Sequence, residues 1–307
     1  MALKIIFMGT PEFAAPILKS INKSKHKILC VYTQPPKRSK RGLKVNYSPI
    51  YETSKKLKLN LRHPFSLDNE KEIEYLKKIN PDVVVVVAYG HLIPRKILDL
   101  DGIKFINIHP SLLPKWRGAA PIQRSLIEMD KETGISIMKI VPKLDAGPYM
   151  SQIKIKIDKD DNYESLSEKL SKLGSKMILD ALEKIEKNDL KWVDQDESKA
   201  SYAKKIEKKE SEINWNIPAD KIIAKIKGLN PYPGVCFKHN LSKFKIIDAI
   251  EINQIGKAGE IIDNNLTVAC KKNAIRILLI QKEGKKILKK KDFFFISKIT
   301  YYPPRRK

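Results

Sequence analysis

The sequence predicts an α/β protein in which an open parallel, Rossmann-like sheet precedes a small antiparallel, OB-like β-barrel. Over the first 190 residues, short apolar runs alternate with helical patterns, which is typical of a parallel sheet covered by helices. The run Val83–Ala88 is continuous and β-branched, as expected for a strand buried on both of its faces. Beyond residue 208 apolar residues alternate between turn signals, which favours short antiparallel strands.

The strands of the first domain are predicted from four short apolar segments. In chain order these are Lys4–Met8, Ile28–Tyr32, Val83–Ala88 and Lys104–Ile108. After the first of them, Thr10 can cap a helix and Pro11 can occupy its first position. Helical patterns are found at Ile93–Leu98, Ile122–Glu128 and Tyr163–Lys187.

The second domain is predicted from a change in pattern after a polar stretch. Residues 191–208 are charge-rich and without periodicity, and we interpret them as a linker. Further along, Leu266, Val268 and Cys270 alternate with polar residues, as in a half-buried strand. The expected organisation is a first domain over residues 1–190, the linker, and a β domain over residues 209–307.

The composition argues against several classes of protein. No apolar stretch approaches the ~18 residues of a membrane helix, and the apolar N-terminal segment is too short for a signal peptide, so we expect a cytoplasmic protein. The cysteines, Cys30, Cys236 and Cys270, form no CxxC pair, which argues against a disulfide framework and a zinc site. We expect a monomer without a bound metal.

The positive charge of the chain is large and unevenly distributed. The formal net charge is +25, of which residues 201–307 carry +14 and residues 1–200 carry +11. The excess of lysine over arginine is also what biased codon usage produces, so charge alone leaves two interpretations open. A polyanionic partner contacted by both parts of the chain fits this distribution, and RNA is the natural candidate.

Asn107 and His109 stand at the end of a predicted strand, where α/β sheets place their chemistry. Side chains alternate along a strand, so these two project to the same face. Pro110 follows and ends the strand, because proline has no N–H for a sheet. An amide and an imidazole at the carboxyl end of a parallel strand can stabilise a carbonyl under attack and transfer a proton.

The residues around His109 carry a resemblance to a known family. The segment His109–Gln123 is similar, almost residue for residue, to the central motif of the folate-dependent formyltransferases. Thr133–Met138 and Leu144–Gly147 resemble the rest of that motif. The resemblance implies that residues 1–190 form a catalytic, folate-binding domain and that 10-formyltetrahydrofolate is the formyl donor.

The same resemblance assigns roles to individual residues. Asn107, His109 and Asp145 match the catalytic residues of the family; without the resemblance, Asp145 would be taken for an ordinary turn carboxylate. Ser111, Leu112, Leu113 and Pro114 match the lining of the folate pocket. A second wall is expected from three residues at the end of the preceding strand, Val87, Ala88 and Tyr89.

Further segments resemble the branch of the family that acts on methionyl initiator tRNA. They include Gly9–Ala14, Trp116–Arg124 and, toward the C-terminus, Asn230–Gly234. The resemblance therefore covers nearly the whole chain and implies that residues 209–307 bind tRNA. It also places a tRNA-binding loop at Gln34–Lys44, whose basic residues are Lys37, Arg38, Lys40, Arg41 and Lys44. Arg41 aligns with an important arginine of the family; by charge alone, this segment would be a solvated loop.

Four other functions use some of the same features. A hydrolytic triad of Ser111, His109 and Asp145 lacks the GxSxG motif of a nucleophile elbow. A dinucleotide-dependent dehydrogenase would need GxGxxG, whereas Gly9 stands alone. A formyltransferase for a sugar amine or a ribonucleotide, and a non-catalytic RNA-binding protein, remain alternatives. The sequence does not tell which acceptor-stem features would be read.

Overall fold

The computed structural model describes residues 1–39, 44–239 and 242–289. The chain divides into two compact units. Unit 1 consists of Met1–Pro121, Glu132–Lys156 and Ser167–Ala203, and unit 2 consists of Ile122–Lys131, Ile157–Leu166 and the chain from Lys204 onward. Among the described residues, no helix combines the length and the apolar character needed to cross a membrane.

Unit 1 is built on a seven-stranded sheet in the order β10-β9-β7-β6-β1-β2-β5. Its strands are β1 (Lys4–Gly9), β2 (Lys27–Tyr32), β5 (Leu61–Arg62), β6 (Val83–Val87), β7 (Lys104–His109), β9 (Glu132–Lys139) and β10 (Tyr149–Lys156). The strands from β7 to β5 are parallel, which confirms the predicted open sheet. The sequence did not indicate that β9 and β10 extend this sheet in the antiparallel sense.

Two further pairs of short strands lie in unit 1. They are β3 (Lys37–Ser39) with β4 (Lys44–Asn46), and β8 (Arg117–Gly118) with β11 (Tyr202–Ala203). The basic loop predicted over Gln34–Lys44 is therefore flanked by an antiparallel ladder rather than being wholly irregular. The β8–β11 pair joins residues 117–118 to residues 202–203, which are distant in sequence.

The helical patterns at Ile93–Leu98, Ile122–Glu128 and Tyr163–Lys187 are confirmed to within two residues. The predicted helix start at Thr10 and Pro11 is wrong, because the Thr10 hydroxyl donates to the Tyr89 carbonyl and the first α-helix begins at Ala15 after a 3₁₀ turn. The other three α-helices were not predicted. The α-helices are α1 (Ala15–Asn22), α2 (Pro49–Lys56), α3 (Glu70–Ile79), α4 (Arg95–Leu98), α5 (Pro121–Ile127), α6 (Tyr163–Glu186) and α7 (Ala219–Leu229), and the 3₁₀ helices are Glu12–Ala14, Glu197–Lys199 and Lys208–Ser211. Side-chain oxygens of Ser48 and Asn69 accept hydrogen bonds from the first turns of α2 and α3, as N-caps do.

The sheet of unit 1 is buried on both faces. All five valines of β6 are buried, and full burial of such a side chain contributes roughly 1.5–3 kcal/mol. One face carries a core cluster that includes Met8, Val84 and Phe105. On the opposite face, Ile108 of β7 lies against Gly174 of α6, where an added Cβ would meet the Ile108 side chain at 3.3 Å. Both faces of β7 therefore carry packed side chains, Phe105 on one face and Ile108 on the other.

Unit 2 contains the predicted antiparallel sheet. Its strands are β12 (Val235–His239), β13 (Ser242–Ile252), β14 (Thr267–Ala269), β15 (Ala274–Lys282) and β16 (Ile287–Lys289). They are joined by antiparallel ladders, and α7 packs on them through a cluster that includes Ile222, Ile226 and Phe244. The prediction of a small antiparallel β domain after the parallel sheet is confirmed.

The segment predicted as a linker has defined contacts within unit 1. Residues 191–203 cluster with unit 1, and β11 lies inside this segment. Residues 122–131 and 157–166, which we expected in the first domain, cluster with unit 2. Three polar side chains of residues 191–203 accept hydrogen bonds from other parts of unit 1. Gln195 and Glu197 accept from the Arg117 side chain, and Ser201 accepts from the Trp116 N–H.

Candidate active site

Asn107 and His109 lie on one face of β7, at the carboxyl end of the parallel part of the sheet. The neighbouring Ile106 and Ile108 are buried on the other face. Asn107 is opposite Val86 of β6 and Met138 of β9, and His109 is opposite Ser136. His109 is 3% exposed and Asn107 is partly exposed, so the two polar groups meet solvent only at this edge.

The His109 ring is oriented by a backbone carbonyl. Its Nε2 lies 2.8 Å from the carbonyl oxygen of Trp116. Because a carbonyl can only accept, Nε2 carries the proton in this bond. The other ring nitrogen, Nδ1, faces Asp145 at 3.7 Å from Oδ2. Nδ1 is therefore the nitrogen available to exchange a proton with a group bound at the site.

Asp145 reaches His109 from an irregular loop between β9 and β10. Its φ of +46° lies in the left-handed region, which residues other than glycine rarely adopt. The Asp145 Oδ2 atom accepts a hydrogen bond from the backbone N–H of Gly118 at 2.8 Å. Gly118 itself has φ +114°, a conformation that favours glycine. The structure thus brings together Asp145 and His109, which are separated in the chain by β8, α5 and β9.

The loop Ser111–Pro114 is held tightly against β9 and β10. Ser111 is fully buried, and its hydroxyl donates to the carbonyl of Lys115 at 2.6 Å. Ser136 accepts from the N–H of Leu113 and donates to the carbonyl of Ser111. A serine that is buried and bonded in this way is not poised as a nucleophile, which argues against the hydrolytic triad. Leu112 and Pro114 remain partly exposed beside His109.

Val87 ends β6 and Ala88 and Tyr89 follow it, but the three residues are not equivalent. Ala88 is exposed and has φ +47°. Val87 is fully buried, and the Tyr89 ring is 2% exposed within the core cluster that contains Met8 and Val84. Burial raises the pKa of the Tyr89 phenol above its usual value. Of these three side chains only that of Ala88 is exposed, so Tyr89 does not form a wall through its ring.

The predicted tRNA-binding loop is described only in part. Lys37 is exposed, and its Nζ donates to the side-chain oxygen of Gln34 at 3.0 Å. Arg38 and Lys44 belong to β3 and β4, and their side chains are not described. Lys40 and Arg41 lie outside the described residues. The predicted role of this loop therefore rests on the sequence.

A buried arginine beside the site was not anticipated as a structural element. The side chain of Arg117 is fully buried, and Glu197 accepts from its two Nη atoms at 2.8 and 3.1 Å. Gln195 accepts from Arg117 Nε at 3.0 Å. The Arg117 and Lys143 partners lower the pKa of Glu197 to about 2. Gln195 and Glu197 follow Arg117 by 78 and 80 positions, and no local sequence pattern pairs residues so far apart.

Within the described part of the chain, no group of three His, Cys, Asp or Glu side chains has the proximity needed to hold a metal ion. The chemistry offered by the site is that of an amide, an imidazole and a carboxylate. The amide and the imidazole can donate to a developing oxyanion, and the imidazole and the carboxylate can move protons.

Comparison with known proteins gives the family. A formyl transferase family model matches residues 3–182, and a model of the formyl transferase C-terminal domain matches residues 205–297. Methionyl-tRNA formyltransferase of Pelagibacter ubique is 49% identical over 301 residues, which is 97% of each chain. The enzyme of the same name from Coxiella burnetii (strain CbuK_Q154) is 38% identical over 299 residues, 95% of each chain.

Solved structures share the fold at much lower identity. HypX from Aquifex aeolicus in complex with tetrahydrofolic acid has a TM-score of 0.68 at 16% identity, covering 99% of this chain and 49% of HypX, so this chain spans about half the length of HypX. WlaRD, a sugar 3N-formyl transferase, has a TM-score of 0.67 at 19% identity, covering 93% of this chain and 100% of WlaRD. With two family models that match in succession and relatives aligned over nearly their full length, the chain belongs to the formyl transferase family.

Proposed function

We propose that this chain transfers a formyl group from 10-formyltetrahydrofolate to the α-amino group of methionyl initiator tRNA, giving N-formylmethionyl-tRNA. The observation that carries the proposal is the 49% identity with a methionyl-tRNA formyltransferase over 97% of both chains. The site supports it, because His109 and Asp145 lie 3.7 Å apart at the sheet edge and Asn107 projects from the same face of β7 as His109. Direct transfer of a formyl group to an amine needs donors to the oxyanion and groups that move protons, and these side chains are of that kind.

The three side chains have separate roles in this proposal. The folate donor supplies the formyl carbon on a nitrogen leaving group. Asn107 donates its amide N–H to the negative charge that develops on the formyl oxygen. His109 donates from Nδ1 when its ring is an imidazolium, since its Nε2–H is given to Trp116. Asp145 faces that nitrogen, where its carboxylate stabilises an imidazolium and accepts the proton that the amine loses, directly or through water. This proton passes on to the folate nitrogen as its bond to the formyl carbon breaks.

The surface beside His109 suits a folate donor. Ala88 is exposed on one side, and Leu112 and Pro114 are partly exposed on the other. Apolar surface with backbone polar groups at its margin is common in cofactor sites. Ser111 and Leu113 would shape this surface rather than bond the donor, because Ser111 Oγ and the N–H and carbonyl of Leu113 already have partners.

Unit 2 offers a surface that suits an RNA partner. On β13, Lys243 and Lys245 alternate with the buried Phe244 and Ile246, so the lysines lie on the outer face. Lys238 of β12 is opposite Lys243, and Tyr232 is 79% exposed. Lysines attract phosphates and an exposed aromatic ring can stack on a base. The proposal includes a tRNA-binding C-terminal region over 209–307 and the basic loop with Lys37, Arg38, Lys40, Arg41 and Lys44.

The test is formylation of charged initiator tRNA with 10-formyltetrahydrofolate, followed by mass spectrometry of the aminoacyl product. We expect a gain of one CO unit with initiator tRNA and much less with charged elongator tRNA. Formylation of a sugar amine or ribonucleotide amine instead would favour the alternative acceptors, and tRNA binding without any product would favour a non-catalytic RNA-binding protein. The proposal also includes a cytoplasmic location, since the acceptor is used in translation. It further includes a monomeric enzyme.

A further inference from the structure

Gln195 connects a buried guanidinium to the loop that carries Asp145. The side-chain oxygen of Gln195 accepts from Arg117 Nε at 3.0 Å. Its Nε2 donates to the carbonyl of Asp145 at 2.9 Å and to the carbonyl of Gly147 at 2.7 Å. Three of the four hydrogen-bonding positions of the amide are therefore used. All of these contacts lie within unit 1.

The direction of the Gln195 amide follows from the chemistry of its partners. A guanidinium only donates and a carbonyl only accepts, so the oxygen must face Arg117 and the nitrogen must face the loop. Arg117 is oriented in turn, because Glu197 binds its two Nη atoms and the guanidinium is fully buried. A reversed amide would place an oxygen against the carbonyls of Asp145 and Gly147.

The backbone at Asp145 requires support of this kind. A left-handed conformation at a residue other than glycine costs free energy and persists where the surroundings hold it. The two bonds from Gln195 bracket the turn at residues 145 and 147. With the turn held, Oδ2 of Asp145 lies 2.8 Å from the Gly118 nitrogen and 3.7 Å from His109 Nδ1.

The same stretch of chain also supports the opposite side of the pair. The Ser201 carbonyl accepts from the backbone N–H of Arg117 at 2.8 Å, and the Ser201 hydroxyl accepts from the backbone N–H of Trp116 at 3.0 Å. Trp116 and Gly118 are the backbone partners of His109 and Asp145. Residues 195–203 thus hold both backbone segments that orient the pair.

We propose that Gln195 is a positioning residue for formyl transfer, acting only through Asp145. The inference rests on the proposed function. It gives the amide of Gln195 one task, which is to keep the Asp145 carboxylate opposite His109 Nδ1. A misplacement of about 1 Å in such a group lowers turnover by on the order of 100-fold.

The first test replaces Gln195 with Glu so that only the donated bonds are lost. Gln195→Glu keeps an oxygen that faces Arg117 and removes both N–H donors. Gln195→Met keeps the length without charge but also removes the acceptor of Arg117 Nε, so its loss should be at least as large. We expect kcat to fall about tenfold to 100-fold, with unchanged KM for methionyl-tRNA and for the formyl donor. Gln152→Glu is the matched control, because Gln152 Nε2 also donates two bonds, to the Leu113 carbonyl and to Ser136 Oγ. It supports the donor loop, so its effect should fall mainly on the KM for the donor.

A double-variant cycle distinguishes positioning from general support of the fold. In an Asp145→Asn background, Gln195→Glu should cause no further loss of kcat, because it keeps the acceptor of Arg117 Nε and the group that its lost donors position has gone. An equal fold-loss in both backgrounds, or wild-type kcat in the single variants, would overturn the inference. Urea unfolding identifies a variant that is not folded, in which case the other Gln195 variant decides. If the wild-type protein forms no formylmethionyl-tRNA, the proposed function fails instead.

Discussion

The two units place their polar side chains in opposite ways. Unit 1 buries His109, Ser111 and Arg117 at one edge of its sheet, each fixed by named hydrogen bonds. In unit 2, β13 directs its apolar side chains inward and leaves Lys243 and Lys245 on the outside. Proton transfer needs groups held at set distances, whereas attraction of a polyanion needs charge near a surface. The difference predicts that substitutions in unit 1 change kcat and those in unit 2 change salt-dependent binding.

The largest effects are expected at the reactive pair. His109→Ala and Asp145→Asn should each lower kcat by on the order of 100-fold or more, as for other acid–base and oxyanion groups. Binding of folate and tRNA should change little, since neither side chain offers much contact area. Steady-state kinetics with both substrates measures this, and Ser111→Ala is the milder control. Near-normal turnover of Asp145→Asn would remove Asp145 from the mechanism.

Substitution of Arg41 tests whether the basic loop acts through a fixed contact, as expected for the site of unit 1, or through salt-dependent attraction, as expected for unit 2. If Arg41 makes a forked contact near the acceptor end, lysine cannot reproduce its planar geometry. We expect Arg41→Lys to cost ~1–3 kcal/mol in kcat/KM for tRNA, the size of one bidentate contact. Replacement of Lys37 or Lys40 with Gln should cost less and mainly reduce the salt dependence. Equal, salt-sensitive losses at all three positions would leave the loop with electrostatic attraction only.

The Arg117–Glu197 pair should make unit 1 sensitive to acid. Arg117 and Lys143 lower the pKa of Glu197 to about 2, below its value in an unfolded chain. The pair therefore stabilises the fold above about pH 4.5, and this contribution is lost as the pH falls toward about 2. Glu197→Gln should lower Tm near neutral pH, with the difference from wild type closing in acid.

Thermal melts over a pH series provide the measurement for Glu197. Glu132→Gln is the comparison, since it removes an exposed ion pair with Lys154 at 3.0 Å and leaves no buried cation behind. It should change Tm less, because exposed pairs contribute little. A difference in Tm between Glu197→Gln and wild type that does not vary with pH would contradict the assignment of acid sensitivity to this pair.

The smallest effects are expected on the outer face of β13. Lys243→Gln and Lys245→Gln should each weaken tRNA binding by under ~1 kcal/mol and leave kcat unchanged. The slope of log affinity against log salt should become shallower by roughly one unit for each lost phosphate contact. Binding isotherms at several salt concentrations decide this, with Lys154→Gln in unit 1 as a control of equal charge. Unchanged slopes would exclude this face from the tRNA interface.

Much of unit 1 could be predicted from local patterns. The valine run of β6 and the ending of β7 at Pro110 are properties of neighbouring residues, and both strands have nearly the predicted bounds. The family resemblance named Asp145, which composition alone would not have distinguished from a surface carboxylate. The structure adds the contact of Asp145 with His109 and the exclusion of the Tyr89 ring.

The support around the pair could not be predicted in the same way. Arg117 and Gln195 are 78 positions apart, and neither a helical nor a strand period relates them. A run of charged residues without periodicity has the composition of a linker, although Gln195 and Glu197 here accept from the buried guanidinium of Arg117. Likewise, the antiparallel addition of β9 and β10 depends on pairing with β7, which the apolar pattern of those strands does not specify.

The position of residues 195–203 in the chain has a consequence for how the site is made. During synthesis His109 emerges first and Asp145 next, whereas Gln195 and Ser201 emerge last. Until then the guanidinium of Arg117 has neither Glu197 nor Gln195, and the turn at Asp145 lacks its two donors. A nascent or prematurely terminated chain that ends before residue 195 would contain every proposed catalytic residue and still lack their alignment. We therefore expect the alignment of His109 and Asp145 to form only after residues 195–203 have left the ribosome.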